Sequence, residues 1–213
     1  MELTAEELNK LENRFIEQIN SIHRDGVDKN GLINYLYSVN FFTAPYTAQY
    51  GGSFKGGLLK HSIDTYDNLL TLVNNFNIDN IDVDSITILG LLHDIGKSDL
   101  YESYYANKKV YTPLGSKSDE MGRFNWVTVP SYKIKDSKDR FVLGSVEENS
   151  LYLIQNYVPL SIEETSAILN SKGNKDVNGN EYGFMNSFTK YPLSLYLYMA
   201  DMKATFIDGY INE

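Results

Sequence analysis

The sequence predicts an all-α domain that carries one small β-hairpin insertion around residues 108–134. Three observations lead there. Apolar residues recur at three- and four-residue steps through most of the chain, the spacing that lines one face of a helix. One interior stretch breaks that period and is rich in Val, Thr, Trp and Tyr, residues that favour strands. No cysteine occurs, so a packed core has to hold the fold without disulfides or thiolate metal sites.

The first helix is expected over residues 4–22, with Leu8, Leu11, Phe15, Ile19 and Ile22 on one face and a capping box from Thr4 and Glu7. A second follows over 28–39, with Leu32, Ile33, Leu36 and Tyr37 inward. These N-terminal helices, residues 1–42, should pack on a main unit of residues 43–213 to give one globular body. Pro45 and the pairs Gly51-Gly52 and Gly56-Gly57 make 43–57 a loop. Residues 58–74 read as a strongly amphipathic helix. Asp84 caps the next, over 85–95, which is apolar nearly all round and therefore central to the core; Gly96 is placed to end it. Val110-Tyr111-Thr112, Trp126-Val127-Thr128-Val129 and Tyr132-Lys133-Ile134 supply the strands. Helix returns over 142–157, Ser161 caps a shorter one reaching Asn170, and a turn-rich loop spans 172–183. The last helix, over 192–210, opens with Pro192 in its first turn.

At 213 residues the chain can bury one ordinary core. The net charge of −9 argues against long nucleic acid as a partner. A small phosphorylated ligand stays open, because a divalent cation and a few lysines reverse a field locally. The N-terminus has neither the basic flank nor the apolar run of a signal peptide, and the longest apolar runs are too short to span a bilayer. A cytoplasmic protein without membrane contact is expected. The oligomeric state stays open.

Among the three histidines, His93 is followed at once by Asp94, in the run Leu91-Leu92-His93-Asp94-Ile95-Gly96-Lys97 at the end of the most buried helix. A buried imidazole beside a carboxylate is costly unless something satisfies both. A divalent metal does so, and so does a hydrogen-bonded His–Asp pair capping a helix end. Gly56-Gly57-Leu58-Leu59-Lys60-His61-Ser62 brings a second histidine near the start of a neighbouring helix. Asp201, in Tyr198-Met199-Ala200-Asp201-Met202-Lys203-Ala204, lies in the last helix close to its apolar flank. Together His61, His93, Asp94 and Asp201 are a mixed N/O ligand set suited to one Mn²⁺, Fe²⁺, Mg²⁺, Co²⁺ or Zn²⁺.

The order His, His-Asp, Asp, with Gly-Gly-Leu-Leu-x-His-Ser ahead of Leu-Leu-His-Asp-Ile-Gly-Lys, resembles the HD-domain metal-dependent phosphohydrolase superfamily. The resemblance runs over roughly residues 43–209 and is nearest to small HD hydrolases of phages and low-GC bacteria. It implies a helical HD bundle, the four metal ligands named above, and a host-cytoplasmic site of action if the chain is phage-encoded. Family members with two metals add histidines in mid-domain. The matching tracts here read Leu143-Gly144-Ser145-Val146-Glu147 and Leu169-Asn170-Ser171-Lys172-Gly173, with Ser145 and Ser171 at the expected histidine positions. The implied site therefore holds one metal, or activity has been lost.

Lys97, one turn beyond the ligand pair, reads either as a phosphate-binding charge or as a cation offsetting the helix dipole. Lys60 and Lys55 are weaker phosphate candidates. Asp64, one turn after His61, and Glu147 are candidate acid–base groups or partners that orient a histidine. Asp99 and Glu102 are further nearby acids with a plain solvent-exposed reading. His23 reads as an ordinary helix-end residue. Trp126, Tyr132 and Tyr111 form either a stacking surface for a base or, the preferred reading, the aromatic core of the hairpin. The resulting expectation is a phosphohydrolase acting on a nucleoside mono- or triphosphate through one metal-activated water. The alternatives are a catalytically reduced module that binds a nucleotide or a protein, and a nuclease acting on short oligonucleotides.

Overall fold

A computed structural model of the chain describes residues 3–49, 51–76, 81–173 and 182–209. It is mostly helical and carries a three-stranded antiparallel sheet. Helix α1 (Ala5–Asn20) starts at the expected capping box: Glu7 N donates to the Thr4 hydroxyl at 3.2 Å, and Thr4 N donates back to the Glu7 carboxylate at 2.8 Å. Helix α2 (Lys29–Ser38) is capped by Asp28, whose carboxylate accepts from Gly31 N. Phe15, Ile19, Leu32 and Leu36 of these helices belong to the same continuous core as Leu58, Leu69, Leu89, Ile154, Ile168 and Leu197.

Helices α3 (Gly57–Asn75) and α4 (Val83–Leu92) cross at Gly90. A Cβ on Gly90 would stand 2.6 Å from the Tyr66 Cα, so only glycine lets the two backbones approach this closely. Back along α3 from Tyr66 lies His61, and onward along α4 from Gly90 lies His93. The crossing therefore delivers both imidazoles to one place.

Two expectations for α4 need correction. Its cap is Asp82, which accepts from Asp84 N at 3.0 Å, while Asp84 instead receives His23 N at 2.9 Å. The helix also stops at Leu92, with His93 as C-cap and Asp94 already outside helical geometry at φ −111°, ψ 16°. Gly96 does not stop the helix by turning left-handed. It sits in a 3₁₀ turn, Ile95–Lys97, where a Cβ would meet Val146 O at 2.6 Å, and its N–H donates to Ser150 Oγ at 2.9 Å. That contact docks α5 (Val146–Gln155) directly beneath the His93–Asp94 segment.

The insertion is larger than expected. Strand β1 (Tyr101–Tyr111) begins well before residue 108 and pairs along its length with β3 (Gly122–Ile134), from Tyr101 opposite Ile134 to Tyr111 opposite Phe124. A short β2 (Lys117–Asp119) adds to the far edge of β3. Phe124 is buried between Tyr111 and Trp126, with Lys109 Nζ 4.5 Å from its ring centre. This aromatic cluster is the hairpin's own small core, the preferred reading of Trp126 and Tyr111. Tyr132 lies nearer the hairpin base, half-buried.

Ser161 caps α6 (Ile162–Leu169), with Glu164 completing a capping box. Helix α7 (Tyr182–Lys190) was not anticipated; of the loop expected over 172–183, residues 174–181 lie outside the described residues. Helix α8 (Pro192–Lys203) has Pro192 at its start as expected. It then widens into a π-helical turn, Ala204–Asp208, where a regular helix was predicted; Tyr210, its expected end, lies outside the described residues. Arg24 ties the α1–α2 connection to this assembly. Its guanidinium meets the buried Glu164 carboxylate at 2.6 and 2.8 Å and Asp82 at 2.9 Å. No helix of the described residues is long and apolar enough to cross a membrane.

Candidate metal centre

Four side chains from three parts of the chain meet in the interior. His61 comes from α3, His93 and Asp94 from the end of α4, and Asp201 from α8. One ligand atom from each lies within 4.8 Å of all the others. His61 Nε2 stands 3.1 Å from Asp201 Oδ1 and 3.7 Å from Asp94 Oδ2. His93 Nε2 stands 3.5 Å from Asp94 Oδ2 and 3.8 Å from Asp201 Oδ1. His93, Asp94 and Asp201 are wholly inaccessible to solvent, and His61 is 5% exposed.

The local chemistry fits a cation. His93 Nδ1 lies 3.1 Å from Leu89 O. A carbonyl only accepts, so Nδ1 carries a proton and Nε2 is the ring nitrogen that faces the carboxylates. Among the described residues neither His93 Nε2 nor Asp94 Oδ1 has a hydrogen-bond partner, although both are buried. Orphaned polar atoms at such depth call for an explanation, and a metal ion accounts for both. Burial holds the His61 imidazole down at about 4, against the pull of Asp201, so at neutral pH this ring is uncharged. The group of His61, His93, Asp94 and Asp201 could hold a metal ion.

Three residues that sequence reading did not single out complete the site. Lys172 Nζ lies 2.6 Å from Asp201 Oδ2, 3.0 Å from Asp94 Oδ2 and 3.3 Å from the Tyr46 hydroxyl. Tyr46 lays its ring flat on His61, centres 3.7 Å apart, and its hydroxyl is 3.0 Å from Thr205 Oγ1. Thr205, in the π-helical turn, donates to Asp201 Oδ1 at 3.4 Å. Lys172 adjoins Ser171 in a tract the sequence did flag, and Tyr46 follows Pro45 in the flagged loop. Nothing in sequence spacing signals contacts across 126 positions.

The expected accessory residues divide. Lys97 is in the site: its Nζ is 3.0 Å from Asp94 Oδ2 and 3.6 Å from the centre of the Tyr46 ring. Burial pushes this lysine down to about 8, further than Asp94 restores it. For the two aspartates burial acts to raise the pKa, but Lys172 foremost outweighs it, joined by Lys97 and His93 at Asp94 and by His61 and His93 at Asp201, and both sit below the ordinary carboxylate range. Asp64 is not joined to the quartet. It pairs with Lys60 at 2.5 Å and lines a small recess beside His61 with Tyr46, Thr205 and Asp208. Glu147 is buried in the first turn of α5 and is not one of the four. Ser145 is that helix's N-cap and Ser171 is buried. Asp99 pairs with Lys135 and Glu102 with Lys133, while His23 and Lys55 are exposed.

Comparison with family models, curated proteins and solved structures gives no match.

Proposed function

We propose that the chain is a metal-dependent phosphohydrolase of HD-domain type, acting in the cytoplasm on a nucleoside mono- or triphosphate. The observation that carries this reading is the buried convergence of two imidazoles and two carboxylates, with His93 Nε2 and Asp94 Oδ1 lacking a hydrogen-bond partner among the described residues. The order of these residues along the chain supports the same reading. His61, His93, Asp94 and Asp201 would hold one divalent ion, which supplies Lewis acidity and acidifies a coordinated water.

The chain's own groups do the rest. Leu89 O and the Tyr46 ring fix the two imidazoles in orientation. Lys97 and Lys172 bring two ammonium groups to a site whose acids alone would repel a phosphate. Water adds to phosphorus and loses a proton as the P–O bond breaks; His61, His93, Asp94 and Asp201 would act by holding the ion that acidifies that water. Lys97, protonated at neutral pH, is placed to supply a proton to the leaving oxygen.

The test is a nucleotide panel with Mn²⁺, Co²⁺ or Mg²⁺, including cyclic and short oligonucleotide substrates. Release of phosphate or nucleoside that EDTA stops is the expected result; no turnover on any member with any metal would overturn the reading. One observation favours a second reading, a nucleotide-binding module without catalysis: Lys172 and Lys97 together already neutralise Asp94 and Asp201. Nucleotide binding that is indifferent to metal and to His93→Ala would select it.

A further inference from the structure

We propose that the Lys172 ammonium is the centre's second cation, built into the chain where a two-metal site would place another ion. This rests on the reading that the quartet holds a metal. The carboxylate of Asp201 is divided between two sides: Oδ1 faces the imidazole nitrogens of His61 and His93 at 3.1 and 3.8 Å, and Oδ2 faces Lys172 Nζ at 2.6 Å. Lys172 also reaches Asp94 Oδ2 at 3.0 Å, the oxygen that lies 3.5 Å from His93 Nε2. Two carboxylates shared between a nitrogen-lined pocket and a positive charge is the layout of a bridged two-cation centre, with one cation tethered to the backbone.

Nothing else described competes for the role. Lys97 meets Asp94 alone and is held over the Tyr46 ring. Ser171, adjacent to Lys172, is buried and brings no negative charge that could balance a further ion. The charges balance in the absence of metal, two carboxylates against two ammonium groups. One divalent ion leaves the centre with two positive charges, matched to a phosphate dianion. A second divalent ion at the carboxylate oxygens Lys172 already holds would have to face or displace its ammonium, a repulsion that buried surroundings screen poorly. The lysine thus fixes the metal count at one and gives the bound phosphoryl group a second positive contact.

The experiment measures Mn²⁺ stoichiometry by elemental analysis, and inorganic phosphate affinity of the Mn²⁺-loaded protein by calorimetry, in wild type, K172A and K172R. The expected wild type holds one ion per chain even at large excess. K172A binds that first ion at least about tenfold more tightly, because a neighbouring positive charge is gone, and binds phosphate at least about tenfold more weakly; K172R restores both. Two ions in the wild type would overturn the proposal, and this measurement stands even if K172A does not fold. One ion in the wild type with unchanged phosphate affinity in a folded K172A would overturn the lysine's role and leave the metal reading intact. No ion in the wild type would overturn the metal reading, and with it the proposal.

Discussion

Replacing His93 by alanine is expected to abolish tight metal binding and to lower phosphate release by at least about 10³-fold, since losing even a residue behind a ligand costs roughly 10–100-fold in metal affinity or activity. The imidazole is wholly buried, held by Leu89 O, and its Nε2 faces the two carboxylates with no hydrogen-bond partner among the described residues. Its removal leaves no stranded charge, so the variant should stay folded with only a cavity's cost. Asp94→Asn should lose metal to a similar degree by a different route. It keeps the side chain's volume but leaves Lys97 and Lys172 with Asp201 as the one carboxylate of the pair. Elemental analysis of Mn²⁺-loaded protein beside a phosphate-release assay reads both effects. A folded His93→Ala protein with wild-type metal content and rate would remove the quartet from the chemistry.

Replacing Arg24 by alanine should cost about 3 kcal/mol of stability, at the lower end of what breaking a buried ion pair usually costs, because the arginine side chain retains 19% of its exposure. Glu164, its partner, has none. Burial acts to raise the Glu164 carboxyl pKa, but the Arg24 guanidinium and the Ser161 backbone N–H outweigh it and hold it below its ordinary 4.5. A carboxyl depressed by folding contributes stability above its unfolded pKa and loses it as pH falls through the folded one. The wild type should therefore weaken below about pH 4.5. Arg24→Ala leaves the burial of Glu164 far less opposed, so its carboxyl takes up a proton more readily in the folded state and the variant's deficit shrinks as pH is lowered. Urea midpoints at neutral and mildly acid pH measure this. Equal midpoints for the two proteins at neutral pH would show that the bridge contributes nothing.

The helices were legible where amphipathic spacing coincided with a capping residue, as at Thr4, Asp28 and Ser161. They were misjudged where two acids competed for one cap, as Asp82 and Asp84 do, or where tertiary docking set the end. Nothing local marks Gly96 as a seat for α5; its meaning comes from Val146 and Ser150. The strand content was visible in β-branched residues, but 101–106 carries none of them, and β1 gains its first half by pairing with residues 129–134 of β3. Within the site, the four convergent groups are those whose burial without a partner would be costly. Lys172 and Tyr46 escaped notice because a lysine or tyrosine in a loop is ordinary until the fold brings it against a buried carboxylate or imidazole.

Trp126, the chain's single tryptophan, packs against Phe124 in the hairpin's own cluster and stays half exposed, while the continuous helical core contains neither residue. The molecule thereby carries a chromophore that watches one part of it alone. Tryptophan emission follows the hairpin, and far-ultraviolet dichroism follows the helices. With few buried contacts of its own, the arm should open at lower denaturant than the body, so the emission curve should precede the dichroism curve. Coincident curves would mean that the arm's footing beside the His93–Asp94 segment binds both parts into a single cooperative unit.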